Sequence, residues 1–191
     1  MATTQPIRDK QQIRALAGYF LKKGELRNHV LIMLGVHTAL RISDLLRISW
    51  NDVYDFENGR VRTRIDIIEK KTRKLRSISL NKDAVRALSR YAASSAKNGR
   101  CLFENAKTGM AISRIQAYRL IRAAAESLKF KIRVSCHSLR KTLGYHAWKN
   151  NVPLPVIMDI YNHSSFSVTM RYLGVTQDDK DAVYLGLSLI L

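Results

Sequence analysis

The sequence contains few of the residues that staple or divide a small protein. Its 191 residues include two cysteines, Cys101 and Cys136, and no CxxC pair, which excludes a disulfide framework and gives no sign of structural zinc. We expect both thiols to be reduced and at least partly buried. No linker rich in proline, glycine or serine, no low-complexity tract and no repeat interrupts the chain, so a single domain over residues 1–191 is predicted.

Long apolar runs are also missing. The longest, VLIMLGV at residues 30–36, is far too short to cross a bilayer, and no apolar signal segment follows the basic residues near the N-terminus. The sequence therefore predicts a cytoplasmic location and no membrane partner. A hydrophobic content of 46% is ordinary for a globular protein with a core, so disorder is not expected.

Acidic residues are scarce. Only 15 Asp and Glu stand against 33 Lys and Arg, a formal net charge of +18, which is more than solubility requires and suits a polyanionic partner. A protein of membrane surfaces gathers its positive charge on one amphipathic helix, whereas here the charge is spread along the whole chain. Nucleic acid is therefore the predicted partner.

Hydrophobic periodicity predicts mostly helices. Apolar residues recur at helical spacing from Asp9 to about Leu26, a more buried helix follows, and Ser43 or Asp44 is expected to cap the short amphipathic turn after it. Further helices are predicted over residues 82–96, 111–128, 137–149, 153–161 and 165–173.

One segment, residues 59–80, changes to a period of two. Arg60, Arg62 and Arg64 alternate with less polar neighbours, and LRSISL resumes the β-like pattern after the polar EKKTRK. This predicts a β-hairpin with a basic tip, which is either a nucleic-acid contact or a solvated turn. GRCLF is a candidate short strand. The predicted fold class is α+β, mainly α-helical, with a small antiparallel sheet.

The motif HSLRKT places His137 and Arg140 three residues apart on one helical face, with Gly144 one turn further on leaving room for a close approach. Alone it is weak evidence, since such a pair on a helix is more often structural than catalytic. In chain order, however, it joins Arg41 in TALRISDLLRISW, Lys71 in EKKTRK, His163 in NHSS and Tyr172 in TMRYL. This order and spacing, from about Arg27 to Gly174, resemble the catalytic domain of the tyrosine recombinases, the phage-integrase and Xer-type family.

The resemblance implies a site-specific recombinase or integrase that cleaves and rejoins DNA through a covalent 3′-phosphotyrosine. Tyr172 would be the nucleophile and His137 its base, while Arg41 and Arg140 would clamp the phosphate, because a guanidinium stays charged and matches phosphate oxygens. Lys71 would protonate the leaving 5′-hydroxyl, with Lys70 and Lys74 as alternatives, and His163 would donate a hydrogen bond to the phosphate. Asp44 matches an acidic family position and is expected to orient Arg41.

Such chemistry requires no metal, cofactor or ATP, and no cluster of three carboxylates is evident in the sequence. The resemblance further implies double-stranded DNA as partner, a nucleoid-associated location, and a dimer or tetramer on DNA. Residues 175–191 are expected to form an apolar tail, which either docks on a neighbouring protomer, as such tails do in the family, or folds back on its own domain. The expected DNA contacts come from six basic residues: Arg60, Arg62, Arg64, Arg73, Lys74 and Lys141.

Several alternatives remain open at the level of sequence. Only 40 residues precede Arg41, so the family's N-terminal core-binding domain is expected to be absent, either because the chain is a fragment or because it is a minimal member. A DNA-binding accessory protein that keeps the fold without turnover and a type IB-like topoisomerase are the competing functions. Tyr145 and Tyr161, the rival nucleophiles, are interpreted as packing residues with hydroxyls at the surface.

Overall fold

The structure is a computed structural model that describes residues 4–94, 101–175 and 177–187. It confirms the α+β class: helices dominate, and the described strands form two small antiparallel sheets. The elements in chain order are α1 Lys10–Lys22, α2 Leu26–His37, α3 Ile42–Leu45, α4 Trp50–Val53, β1 Tyr54–Asp55, β2 Arg60–Val61, β3 Arg64–Ile68, β4 Leu75–Ser79, α5 Lys82–Ser94, α6 Arg114–Ser127, α7 Cys136–Lys149, α8 Leu154–Tyr161, α9 Phe166–Leu173 and α10 Gln177–Gly186.

The segment predicted as a single hairpin divides between the two sheets. The chain breaks its β pattern after Val61, so β2 pairs with β1, while β3 and β4 form the hairpin, with Ile65 opposite Ile78 on the buried face. Cys101, in the candidate strand GRCLF, makes only an isolated bridge to Ser49. The residues of the hairpin turn lie between Ile68 and Leu75, so two paired strands hold them in place.

Helix α2 lies at the centre because it is apolar on almost every face. It contributes to one core cluster with α5 and the hairpin and to another with α1, α6 and α7. Its Gly35 lets α7 approach closely, since a Cβ there would lie 2.8 Å from a methyl of Leu139. The contact fixes α7, which carries the HSLRKT motif, against the centre of the molecule.

In a third, smaller cluster, Leu143, Ala147 and Trp148 of α7 pack against buried residues of α8, α9 and the turn after α2: Ile157, Tyr161, Leu173 and Ala39. Helix α7 begins at a capping box formed by Ser135 and Ser138, which satisfies free backbone donors of the first turn. No helix among the described residues is long and apolar enough to cross a membrane.

Candidate active site

Arg140 is the centre of the site. Its guanidinium is buried, with the residue 2% exposed, and its three nitrogens point at three separate parts of the chain. Nε donates to the Tyr172 hydroxyl at 3.1 Å, Nη2 donates to the Tyr161 carbonyl at 3.3 Å, and Nη1 donates to the Ala39 carbonyl. Ala39 has a positive φ of 53°, in the left-handed region. One side chain thus joins α9, α8 and the turn before Arg41.

Tyr172 is half-buried on α9, with its hydroxyl on Arg140. Its ring centroid lies 5.0 Å from that of Tyr161 and 5.1 Å from that of His163. Burial raises the pKa of the phenol, whereas the charge and hydrogen bond of Arg140 and the charge of Arg41 lower it; the pKa remains above its ordinary value. The phenol is therefore protonated at rest and must lose its proton if it attacks.

His163 follows Asn162, the left-handed residue that caps the C-terminus of α8. Its ring stacks on Tyr161 at 5.4 Å and meets Tyr172 edge-on, and its Nδ1 lies 3.1 Å from the Thr169 hydroxyl. Burial and the charges of Arg140 and Arg41 lower the pKa of His163. The imidazole is therefore neutral at neutral pH and presents one N–H and one lone pair.

His137 lies in the first turn of α7 and is exposed. Its pKa is also lowered, by partial burial and by the charges of Arg140, Lys141 and Arg41. The imidazole is therefore neutral at neutral pH, and the neutral form is the protonation state that a general base requires.

Arg41 is held by a residue that the sequence does not single out. Its Nη1 lies 2.9 Å from Oε2 of Glu69, and Arg76 lies 3.0 Å from the other oxygen. The Thr72 hydroxyl also donates to Glu69, whose side chain is only 1% exposed. Burial raises the pKa of this carboxyl, but the hydrogen bonds from Thr72 and Arg76 and the charge of Arg41 outweigh it, and the pKa is lowered.

Asp44 was expected to orient Arg41, but in the structure Glu69 makes the contact with Arg41. Arg41 itself occupies the N-cap position of α3, and Asp44 lies inside the first turn, where Oδ1 accepts from the Lys70 backbone amide at 2.9 Å. Asp44 thus holds the hairpin, and Glu69 at the end of β3 holds Arg41. The one signal in the sequence for this role was that Glu69 is the single acidic residue in the otherwise basic segment EKKTRK.

The hairpin turn carries the lysines. Lys71 and Arg73 are exposed there, and Lys74 extends its ammonium to the Asn162 side chain, where Nζ donates to Oδ1 at 3.2 Å. Asn162 directly precedes His163, so the basic tip lies beside the histidine turn. The turn, α7, α9 and the Arg41 segment therefore surround one site.

Comparisons with known proteins identify the family and the fold of the chain. The model of the family described as "Phage integrase family" matches residues 8–178. The chain belongs to the phage integrase family. A protein named probable integrase/recombinase YoeC, from Bacillus subtilis (strain 168), is 35% identical over 184 residues, which cover 96% of this chain and 97% of YoeC.

Longer family members share the same region. A protein named tyrosine recombinase from Thermosipho africanus (strain TCF52B) is 27% identical over 176 residues, and the match covers 91% of this chain but 59% of that protein. The crystal structure of XerH recombinase bound to its palindromic difH substrate, a post-cleavage complex, has a TM-score of 0.73 at 18% identity, covering 97% of this chain and 55% of that one. At this identity the likeness establishes the fold, that of tyrosine-recombinase catalytic domains.

Lys141 has a different position from the one expected of a DNA-contacting residue on an integrase surface. It is 6% exposed, its ammonium donates to the Thr4 carbonyl at 2.8 Å, and it lies 5.1 Å above the Tyr172 ring. Tyr161, expected to have a surface hydroxyl, is fully buried. Both side chains are enclosed because α9 packs over α7, which no local pattern encodes.

The three alternating arginines are exposed on another face. Arg62 Nε donates to the Asn51 carbonyl, and Arg64 donates to the hydroxyls of Ser77 and Ser79. With Arg60 they border an open cavity of about 520 Å³ that also contains acidic side chains. Within the described ranges, no group of three or more His, Cys, Asp or Glu is placed to hold a metal ion.

The contact between Glu69 and the two arginines predicts a pH-dependent loss of stability. We expect Glu69→Gln to lower the free energy of unfolding by about 2 kcal/mol at pH 7, because a largely buried ion pair loses its anion. Since the folded pKa of Glu69 is lowered from its ordinary 4.5, the deficit is full above that pH and shrinks as the wild type is acidified further. Urea unfolding between pH 3 and 7 measures it.

The matched control is Asp83→Asn, which removes a carboxylate from an exposed pair with Arg86 at 3.8 Å. It should change the unfolding free energy by less than about 0.5 kcal/mol. A deficit for Glu69→Gln that persists unchanged to pH 3 would contradict the ion-pair interpretation.

Proposed function

We propose that this chain is a site-specific DNA recombinase that cleaves and rejoins strands through a covalent 3′-phosphotyrosine at Tyr172. The observation that carries the proposal is the hydrogen bond between the Tyr172 hydroxyl and Arg140. The charge of Arg41 also lowers the pKa of this phenol. A nucleophile already beside a buried cation is close to any phosphate that the same cation binds.

The proposed cleavage transfers two protons and exchanges one phosphorus–oxygen bond for another. The Tyr172 oxygen attacks the phosphorus, its proton passes to His137, and the bond from phosphorus to the 5′ oxygen breaks. The hairpin lysine gives that oxygen a proton, so that the products are a 3′-phosphotyrosine and a free 5′-hydroxyl. Rejoining reverses these transfers with the 5′-hydroxyl of another strand as nucleophile, which conserves the phosphodiester energy and requires no external energy source.

The two arginines have complementary positions for stabilising the extra charge of the pentacovalent state. Arg140 is buried, and the two backbone carbonyls that accept from its terminal nitrogens hold the guanidinium charge in place before a phosphate binds. The Arg41 side chain remains 22% exposed and is accessible to a substrate phosphate, while Glu69 accepts a hydrogen bond from its Nη1. His163, stacked on Tyr161, becomes a further donor to the phosphate when its Nε2 is protonated, because the Thr169 hydroxyl donates to the Ser165 carbonyl and therefore accepts the Nδ1–H of the neutral ring.

Lys71 is the proposed acid, and Lys74 is the residue to test against it. Lys74 has a protein partner in Asn162, whereas Lys71 is exposed at the tip. We expect Lys71→Ala to slow cleavage about 10²- to 10⁴-fold and Lys74→Ala less than about tenfold. The defect should disappear with a duplex whose 5′-bridging oxygen is replaced by sulfur, because a thiol, with a pKa of about 8.5, leaves without protonation.

The measurement is single-turnover cleavage, by both variants, of the unmodified duplex and of the duplex with the bridging sulfur. The reverse ranking, with sulfur rescuing only Lys74→Ala, would assign the acid to Lys74. A Lys71→Ala defect that sulfur does not relieve would remove Lys71 from proton transfer.

Double-stranded DNA is the proposed substrate, and a multimer on DNA is the proposed assembly. The formal charge of +18 supports phosphate binding. On α10, Val183, Tyr184 and Leu185 are all more than half exposed, and Leu187 just after it is too. Exposed apolar side chains on a terminal helix support docking on a second protomer over folding back.

Covalent trapping tests the proposed function directly. The protein is incubated with nicked duplexes from the DNA that flanks its own gene, denatured, and searched by mass spectrometry for a nucleotide adduct. The expected result is an adduct on Tyr172, and exchange between two duplexes then separates a recombinase from a topoisomerase that only reseals its own nick. DNA binding without any adduct would favour the accessory-protein alternative.

A further inference from the structure

Tyr161 ends α8 with its side chain entirely buried. Its hydroxyl lies against α7, where it donates to the Arg140 carbonyl at 2.6 Å and accepts from the Gly144 amide at 2.8 Å. In an α-helix these two backbone groups, four residues apart, are each other's partners. The phenol oxygen therefore bridges one turn of α7, directly beneath Arg140.

Gly144 makes this approach possible. A Cβ at that position would lie 2.6 Å from Cε2 and 2.7 Å from the hydroxyl of Tyr161, distances that side-chain carbons do not adopt. The close approach expected from HSLRKT and the following glycine is therefore that of a tyrosine ring from α8.

The rest of Tyr161 contacts the three side chains around the phosphate position. Its carbonyl accepts from Arg140 Nη2, and its ring lies 5.0 Å from the Arg140 guanidinium carbon. One part of the ring stacks on His163 with an interplanar angle of 24°, and the ring also packs against Tyr172 at 5.0 Å. The hydroxyl is the one polar atom of the side chain, and both of its hydrogen bonds are made to α7, which therefore fixes the position of the ring.

We propose that Tyr161 is a positioning residue for strand cleavage: anchored to α7 through its hydroxyl, it fixes Arg140, His163 and Tyr172 relative to one another. The inference rests on the proposed function, since it concerns the geometry of that reaction. Attack requires the reacting atoms within a few tenths of an ångström of a productive arrangement, and a displacement of about 1 Å can cost about 100-fold in rate.

The test compares Tyr161→Phe and Tyr161→Leu with wild type. Phe keeps the ring contacts with Arg140, His163 and Tyr172 but loses the hydroxyl anchor, and Leu loses the ring contacts as well as the anchor. We expect the single-turnover rate constant for adduct formation to fall about tenfold in Tyr161→Phe and about 100-fold in Tyr161→Leu, with DNA affinity within about twofold of wild type. A loosened Tyr172–Arg140 contact removes an influence that lowers the phenol pKa, so the rate–pH profile of Tyr161→Phe should move to higher pH.

Tyr91→Phe is the matched control. Tyr91 also packs its ring on an aromatic side chain, Trp50, and donates its hydroxyl to a backbone carbonyl, that of Leu102, but it belongs to a different core cluster. It should retain the wild-type rate constant and pH profile. The amplitude of adduct formation reports the folded fraction and the rate constant reports the chemistry, so lost stability and lost positioning are measured separately.

The inference is overturned if Tyr161→Phe reacts with the wild-type rate constant and pH profile, or if only its amplitude falls. Absence of an adduct with the wild type, by contrast, refutes the proposed function itself. The two failures are thus distinguished within one experiment.

Discussion

We expect Tyr172→Phe to abolish the proposed covalent protein–DNA adduct and to leave DNA affinity nearly unchanged. The oxygen that this change removes is the proposed attacking atom, and no other atom of the ring can form the phosphate ester. Its contacts with Tyr161, His163 and Lys141 are made by the ring, which Phe preserves. The lost hydrogen bond to Arg140 should lower the free energy of unfolding by only about 1 kcal/mol.

Two measurements are needed: denaturing-gel detection of the adduct and equilibrium DNA binding at fixed salt. Salt must be fixed because phosphate contacts, not the phenol, dominate affinity for a chain of this charge. Tyr145→Phe, on α7, is the control and should form the adduct as wild type does. An adduct that persists in Tyr172→Phe would remove Tyr172 as nucleophile, and its mapping would identify the tyrosine that replaces it.

Most of the motif residues that the sequence singled out lie near the start or end of a helix, whereas Lys71 lies in the hairpin turn. His137 and Arg140 occupy the first turns of α7, Arg41 precedes α3, and His163 follows α8. Short motifs with fixed local geometry are what periodicity and capping patterns can predict. The prediction that these residues meet in one site depended on the resemblance to a family, since their spacing in the sequence does not show that α7 packs against α9.

Contacts that depend on long-range packing were not predicted. Glu69 holds Arg41 across 28 positions of sequence, and Tyr161 reaches Arg140 across 21. In the sequence Glu69 is one acid within a basic tip, and Tyr161 is one apolar residue of a short helix. Their roles follow from burial, which removes water as a competing partner and leaves protein groups to satisfy each charge and hydroxyl.

The division of the predicted hairpin has a similar cause. Alternation at Arg60, Arg62 and Arg64 indicates extended chain but does not state which strand pairs with which. The pairing of β2 with β1 is set instead by α4, whose last residue, Val53, accepts a hydrogen bond from the Arg62 amide at 2.8 Å. An extended pattern was therefore correct over most of the segment, while its topology required the tertiary structure.

Arg140→Ala should reduce the rate of cleavage about 10³-fold or more. One preoriented donor to a developing anion contributes about 10²- to 10³-fold, and Arg140 supplies a full charge in a buried site. The same change leaves the carbonyls of Ala39 and Tyr161 without their donor, so the free energy of unfolding should also fall, by about 2 kcal/mol or more.

Because stability and chemistry both change, Arg140→Lys separates them. A lysine keeps the positive charge but cannot direct donors at three acceptors in one plane, so we expect partial recovery of thermal stability and little recovery of rate. Single-turnover adduct formation and thermal melting measure the two quantities on the same samples. A near-wild-type rate in Arg140→Ala would contradict the clamp, and full rescue by Lys would reduce the role of Arg140 to that of a nearby charge. The three directed hydrogen bonds argue against that simpler role, because they fix the plane of the guanidinium before any phosphate arrives.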